Sequence, residues 1–253
     1  MFKALRIRRK IVFVISVISL IGVAATVSGQ VPFRVGERLS YDVQWRASLV
    51  RVSAATITLE VGAPTSSDFE VIGEARLTST LSNLYSLYYR AESLVDARTL
   101  LPREGRVYSE EGSRKRDKLT RINHDERTAE FEMRTSTVWN LNFEVPAGVQ
   151  DALSAFYLLR AMAWNVGQTF TLPVTDSGKV YTLQVEVGEL EQIETGVGTI
   201  DAFRSSLQVV EEGQEPTDRR MNIWMSRDAR RLPVQVEIDL PVGSFLLVLD
   251  DVT

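Results

Sequence analysis

Leu39-Ser40-Tyr41-Asp42-Val43-Gln44-Trp45-Arg46 places an apolar side chain at every odd position and a polar one at every even position. In an extended chain successive side chains point to opposite faces. This octapeptide therefore has one oily and one wet face, the pattern of a half-buried antiparallel strand. The same period returns at Ala55, Ile57, Leu59 and Val61, at Tyr181, Leu183, Val185 and Val187, and at Val234, Val236, Ile238 and Leu240 against Gln235, Glu237 and Asp239. Between such runs stand turn formers: Gly62-Ala63-Pro64, Glu111-Gly112-Ser113, Asp176-Ser177-Gly178, Glu211-Glu212-Gly213 and Pro241-Val242-Gly243. Many short strands divided by tight turns predict a mostly β fold, a strongly curved antiparallel sheet or open barrel.

One segment keeps a different period. Asp151 is a helix-capping residue type, and Leu153, Phe156, Tyr157 and Trp164 follow at helical spacing, with Gly167 as a stop. The pattern predicts a helix from Ala152 to about Trp164, within segment 151–165. Leu158, Leu159 and Met162 make its other side apolar too, so it is expected to be buried as a plug or lid on the sheet.

Outward from these elements, the N-terminus carries Lys3, Arg6, Arg8, Arg9 and Lys10, then an uncharged run from Ile11 to Val27, then small residues before Gln30. That order predicts a secretory signal peptide over residues 1–29, with cleavage after Gly29. An uncleaved anchor is the alternative, because the run approaches bilayer-spanning length. Removing five of the 29 basic residues leaves 24 against 33 acidic ones, a net charge of -9 for residues 30–253. An acidic chain disfavours nucleic acid, whose binding draws on Lys and Arg. With no cysteine there is neither a disulfide framework nor a lipid-attachment cysteine. The chain therefore reads as a periplasmic or secreted protein with one β-rich domain over 30–253 and no stable membrane anchor.

Two short motifs recur. Val35-Gly36-Glu37-Arg38-Leu39 is echoed 131 positions later by Val166-Gly167-Gln168-Thr169-Phe170, and Asp96-Ala97-Arg98-Thr99-Leu100-Leu101-Pro102 by Asp228-Ala229-Arg230-Arg231-Leu232-Pro233. They raise two related halves, 35–112 and 166–252, on either side of the helix. Chance likeness between strand entries and Asp-started turns is the alternative.

Pro32-Phe33-Arg34-Val35-Gly36-Glu37-Arg38-Leu39-Ser40-Tyr41-Asp42-Val43 resembles the opening of the bacterial family called domain of unknown function 3108. Gln150 to Arg160 is similar to that family's central helix, Ile223 to Val234 to its late hairpin, and Gly243-Ser244-Phe245-Leu246 to its last strand. The resemblance implies an exported protein with a curved antiparallel sheet, similar in outline to the half-barrels that carry lipoproteins across the periplasm. The family has no assigned reaction, so no catalytic residues carry over.

Catalytic and metal-binding patterns are sparse. One histidine and no cysteine do not supply the clustered ligands that a metal site of the usual kind needs. His124 lies in a polar turn sequence, and no Gly-x-Ser-x-Gly elbow offers a nucleophile. Glu110-Glu111, Glu211-Glu212 and Asp250-Asp251 are sequence neighbours, unlike an acid–base pair facing a substrate. Arg114-Lys115-Arg116-Asp117-Lys118 reads as an exposed charged hairpin. No catalytic residue, metal or cofactor is expected.

Arg160 stands out as the only charge between Asp151 and Asp176, on an apolar helix. A buried guanidinium must pair with a carboxylate on a facing strand, snorkel to the surface, or bind an anionic head group. Arg160, Phe156, Tyr157 and Trp164 are the candidate ligand contacts. The expectation is a non-enzymatic envelope protein that holds an apolar or amphipathic, lipid-like ligand. A structural or interaction module with a filled core and an envelope protein partner is the alternative.

Overall fold

The computed structural model describes residues 31–253, apart from 48–49, 63–64, 66, 84, 215–220 and 241–242. The expected signal segment, and parts of the turns at Gly62-Ala63-Pro64 and Pro241-Val242-Gly243, lie outside the described residues. The alternating segments form strands. They run β1 (Arg38–Ala47), β2 (Val50–Val61), β3 (Asp68–Leu77), β4 (Leu87–Asp96), β5 (Pro102–Glu111), β6 (Arg114–Asn123), β7 (Thr128–Arg134) and β8 (Val138–Glu144). A short helix, α1 (Ser79–Ser82), interrupts them, and the buried helix α2 (Ala152–Ala161) follows. The chain then adds β9 (Thr169–Asp176), β10 (Lys179–Thr195), β11 (Gly198–Glu211), β12 (Met221–Ser226), β13 (Pro233–Leu240) and β14 (Gly243–Val252).

All fourteen strands join one antiparallel sheet, in which β1 pairs β14 and the two free edges are β8 and β9. Each half is thus a meander, and the α2 segment connects the two edges. The curvature is strong enough to bring the edges together. Lys118 Nζ of β6 lies 2.7 Å from Ser177 Oγ in the β9–β10 turn, and a Cβ on Gly178 would fall 3.0 Å from a Leu141 methyl of β8. The barrel does not close by ladder hydrogen bonds. Gln150 stitches onto β9 instead, through Gln150 N–H to Pro173 C=O (2.9 Å) and Thr175 N–H to Gln150 C=O (2.8 Å). Pro173 is tolerated there because β9 is an edge.

The recurrent motifs adopt matching geometry. Gly36 and Gly167 both have positive φ, and their N–H groups donate to Val61 and Val187 C=O at 2.9 and 2.8 Å. Asp96 ends β4 and Asp228 follows the end of β12 by two residues; both accept backbone N–H bonds in the turn and precede a positive-φ residue, Leu100 or Arg231. Pro102 and Pro233 then open the next strands.

The long β10–β11 hairpin breaks register between Val187 and Leu190, and its tip lies on β14, where Gly196 N–H donates to Leu249 C=O. This covers β12 on both faces. Ile223 and Met225 pack with Leu159 and Trp164, whereas Trp224 buries beside Ile193 and donates its indole N–H to Glu191.

Candidate functional site

Helix α2 begins with a reciprocal cap: Asp151 Oδ1 accepts from Ser154 N–H at 2.8 Å, and Ser154 Oγ accepts from Asp151 N–H at 2.9 Å. Such a cap contributes about 1 kcal/mol. The other carboxylate oxygen, Oδ2, accepts from Ser93 Oγ of β4 at 2.5 Å, fixing the helix start to the sheet. A Cβ on Gly105 of β5 would come within 3.1 Å of the same oxygen, so any larger residue there would press on the cap. Burial pushes the Asp151 carboxyl above its ordinary value, and the hydrogen bonds it accepts pull partly the other way. The helix stops at Ala161, three residues earlier than the sequence pattern predicts. Met162 is extended, and the Trp164 indole N–H takes up the Leu159 carbonyl at 2.8 Å, ending the helix with a side-chain donor.

The two sides of α2 meet different surroundings. Tyr157 packs edge-on against Phe33, among Phe69, Val71, Val95 and Leu100. Arg160 is fully buried on this side. Its Nη1 lies 2.5 Å from Glu37 Oε1, and its Nη2 lies 3.1 Å from Glu37 Oε2. Further bonds reach the carbonyls of Arg231 (3.2 Å), Arg230 (3.2 Å) and Pro32 (3.4 Å), while the Phe33 and Tyr157 rings flank the guanidinium. The carboxylate-pair alternative is therefore the arrangement present. The anionic head group expected at Arg160 gives way to Glu37, and the partner comes from the lead-in to β1. Burial holds the Tyr157 and Tyr41 hydroxyls nearby well above the usual phenol range, so both remain protonated.

On the opposite side, Ala152, Ala155, Phe156 and Leu159 face a cavity of about 540 Å³. Its walls come from both halves of the sheet: Ala91 of β4, Val107 of β5, Lys118 and Thr120 of β6 and Phe131 of β7 on one side, Val174 of β9, Tyr181 and Leu183 of β10, Leu207 and Val209 of β11 and Met221 and Ile223 of β12 on the other. Polar groups gather where the edges meet, at Tyr89, Lys118, Asp176, Ser177 and Tyr181. Burial raises the Tyr89 hydroxyl, and the Asp176 and Glu111 charges add to the effect. Asp151 also lines the cavity, at its helix end.

Of the four residues singled out from sequence, Phe156 alone lines this cavity. Tyr157 and Arg160 turn to the filled side of α2, and Trp164, buried against Phe170, borders a separate cleft with Asn165, Leu190, Arg227 and Arg231. Lys118 is the wall residue that sequence reasoning passed over. The Arg114–Lys118 run does lie in a hairpin strand whose Lys115 and Arg116 pair with Glu110 and Glu111, yet Lys118 shares a face with Val107 and Met133 across the ladder. Period-2 counting from Val107 through the Gly112 turn was the available signal. His124 sits in the β6–β7 turn with Nε2 2.7 Å from Pro102 C=O, away from the cavity lining. Among the described residues, no three His, Cys, Asp or Glu side chains are grouped to hold a metal ion, and no helix is long and apolar enough to cross a membrane.

Comparison with known proteins places these features. The profile of the family described as protein of unknown function (DUF3108) matches residues 40–250. A β-barrel-like protein of domain of unknown function DUF1849 from Brucella abortus superposes with a TM-score of 0.58 at 10% identity, over 86% of this chain and 97% of that one. Weaker likenesses are to a putative exported protein with YmcC-like fold from Bacteroides fragilis (TM-score 0.35, 14% identity, 88% and 97% coverage) and a putative lipoprotein from Parabacteroides distasonis (0.36, 11%, 87% and 96%). No curated protein matches the chain. The first likeness carries the fold, an unclosed barrel-like sheet, and nothing about activity.

Proposed function

The chain belongs to the DUF3108 family of proteins of unknown function, and from that premise we propose that it is an exported binding module whose cavity under α2 holds the apolar part of a lipid-like ligand. The observation that carries this reading is the cavity itself, about 540 Å³ with a largely aliphatic and aromatic wall. Packed interiors leave few voids larger than a water molecule, whereas small-molecule sites span roughly 300–1,000 Å³. The division of labour along α2 supports the reading as well. One side is anchored by the Arg160–Glu37 pair and a filled aromatic cluster, so the other can be left unfilled without the helix losing its seat.

The basic, apolar and small-residue order of residues 1–29 supports export to the periplasm. N-terminal sequencing of fractionated protein is expected to find Gln30 first, in the soluble fraction; intact Met1 on membranes would overturn that location. For the ligand, native mass spectrometry of protein isolated from its own cell envelope is expected to show an added mass that organic solvent extracts. Protein of bare polypeptide mass that also takes up no amphiphile when one is supplied would favour the alternative, a partner-binding module.

A further inference from the structure

We propose, building on the cavity as a ligand site, that its occupant is a single-chain amphiphile whose anionic head is held by Lys118 where the two sheet edges meet. Lys118 sits on the concave face by register, between Val107 of β5 and Met133 of β7, and is half-buried. Among the described residues no carboxylate oxygen lies within the 4.0 Å ion-pair distance of its Nζ. The other charged residues bordering this part of the cavity are engaged: Arg106 pairs with Asp117 at 3.6 Å, and Glu92 with Arg90 at 2.6 Å.

Among the described residues, the one hydrogen bond made by Lys118 Nζ is to Ser177 Oγ, at 2.7 Å. That hydroxyl donates its proton to Asp176 Oδ2 at 3.0 Å, so it meets Lys118 with a lone pair. An ammonium has three donors. Two of them remain for a carboxylate or phosphate oxygen, beside a wall that is mostly apolar. A half-buried cation without a carboxylate partner is costly to keep, and an incoming anion offsets that cost. Asp176 is the opposing charge here and limits how strongly the site attracts an anion.

At about 540 Å³ the cavity lies within the roughly 300–1,000 Å³ of small-molecule sites, a size that suits one acyl chain with its head at the sheet edges.

The test compares hexadecanoate with hexadecanol, which share a chain and differ in head charge, by displacement of a neutral naphthylamine dye from wild type, Lys118→Met, Lys118→Gln and Asp176→Asn. Losing one charge-assisted bond is expected to weaken hexadecanoate by roughly ten- to a hundredfold in both lysine variants. Hexadecanol should stay within about twofold, and Asp176→Asn should tighten hexadecanoate. Equal hexadecanoate affinity in wild type and both lysine variants would overturn the role of Lys118 while leaving the cavity reading intact. Failure of dye, acid and alcohol alike to bind folded wild type would remove the cavity reading and this inference with it.

Discussion

Replacing Arg160 by Met keeps the volume of the side-chain stem and removes every polar contact the guanidinium makes. Glu37, only 8% exposed, would then keep a buried carboxylate with neither of its two bonds to Arg160, and the carbonyls of Pro32, Arg230 and Arg231 would each lose a donor. Breaking one side of a buried ion pair costs about 3–5 kcal/mol. For a domain of this size that lowers the melting temperature by roughly 6–20 °C. Urea denaturation should show the midpoint falling with the slope unchanged. Arg160→Met combined with Glu37→Leu should recover most of the loss, because the stranded charge goes with its partner and apolar replacements of buried pairs are often close to neutral. Since Arg160 faces away from the cavity, amphiphile binding by the folded single variant should be unchanged. A loss below about 1 kcal/mol together with loss of ligand would refute this reasoning and restore the anion-site reading of Arg160.

Phe156→Ala should enlarge the cavity and cost less than the ~3–5 kcal/mol of a fully packed phenylalanine, measured by denaturation; the full penalty would mean the space is filled. Gly105→Ala should destabilise by about 1–3 kcal/mol, because its methyl would press on the Asp151 cap; calorimetry that finds no change would mean the cap yields freely. Asp151 holds its proton more tightly folded than unfolded, so it favours folding most in acid, and that contribution shrinks as pH rises from about 4 toward its raised value. Asp151→Asn should flatten that part of the stability–pH curve. Asp96 is the opposite case: its bonds to Arg103 and to the Thr99 N–H hold its carboxyl well below the usual carboxylate range. Its stabilisation is present above the ordinary value and lost as pH falls, so Asp96→Ala should cost about 1–2 kcal/mol at neutral pH and nothing in strong acid.

The fold was legible because it rests on local rules. Alternation at Leu39 to Trp45, Tyr181 to Val187 and Val234 to Leu240 fell in β1, β10 and β13, and Asp151 capped α2 as its residue type suggests. The site was less so, because its geometry depends on partners distant in sequence. Glu37 lies 123 residues from Arg160, and no helical periodicity points to it. An apolar helix declares that all its sides are covered, but not which side meets a filled core and which a cavity; hence Tyr157 and Phe156 looked alike, yet only Phe156 lines the cavity. The early end of α2 was hidden for a similar reason, since the Trp164 indole reads as one more apolar position until its N–H is seen on the Leu159 carbonyl.

The central claim, that the space under α2 is hollow and takes an amphiphile, is tested most directly by titrating the neutral naphthylamine dye into wild type and Ala91→Phe. Ala91 is half-buried on the β4 wall, so a benzyl group there would project into the cavity. The account predicts saturable binding by wild type that is lost in Ala91→Phe at equal or higher melting temperature. Dye binding unchanged by the substitution, or a folded wild type that binds no dye while Ala91→Phe loses the ~1–3 kcal/mol of an overpacked core, would contradict it.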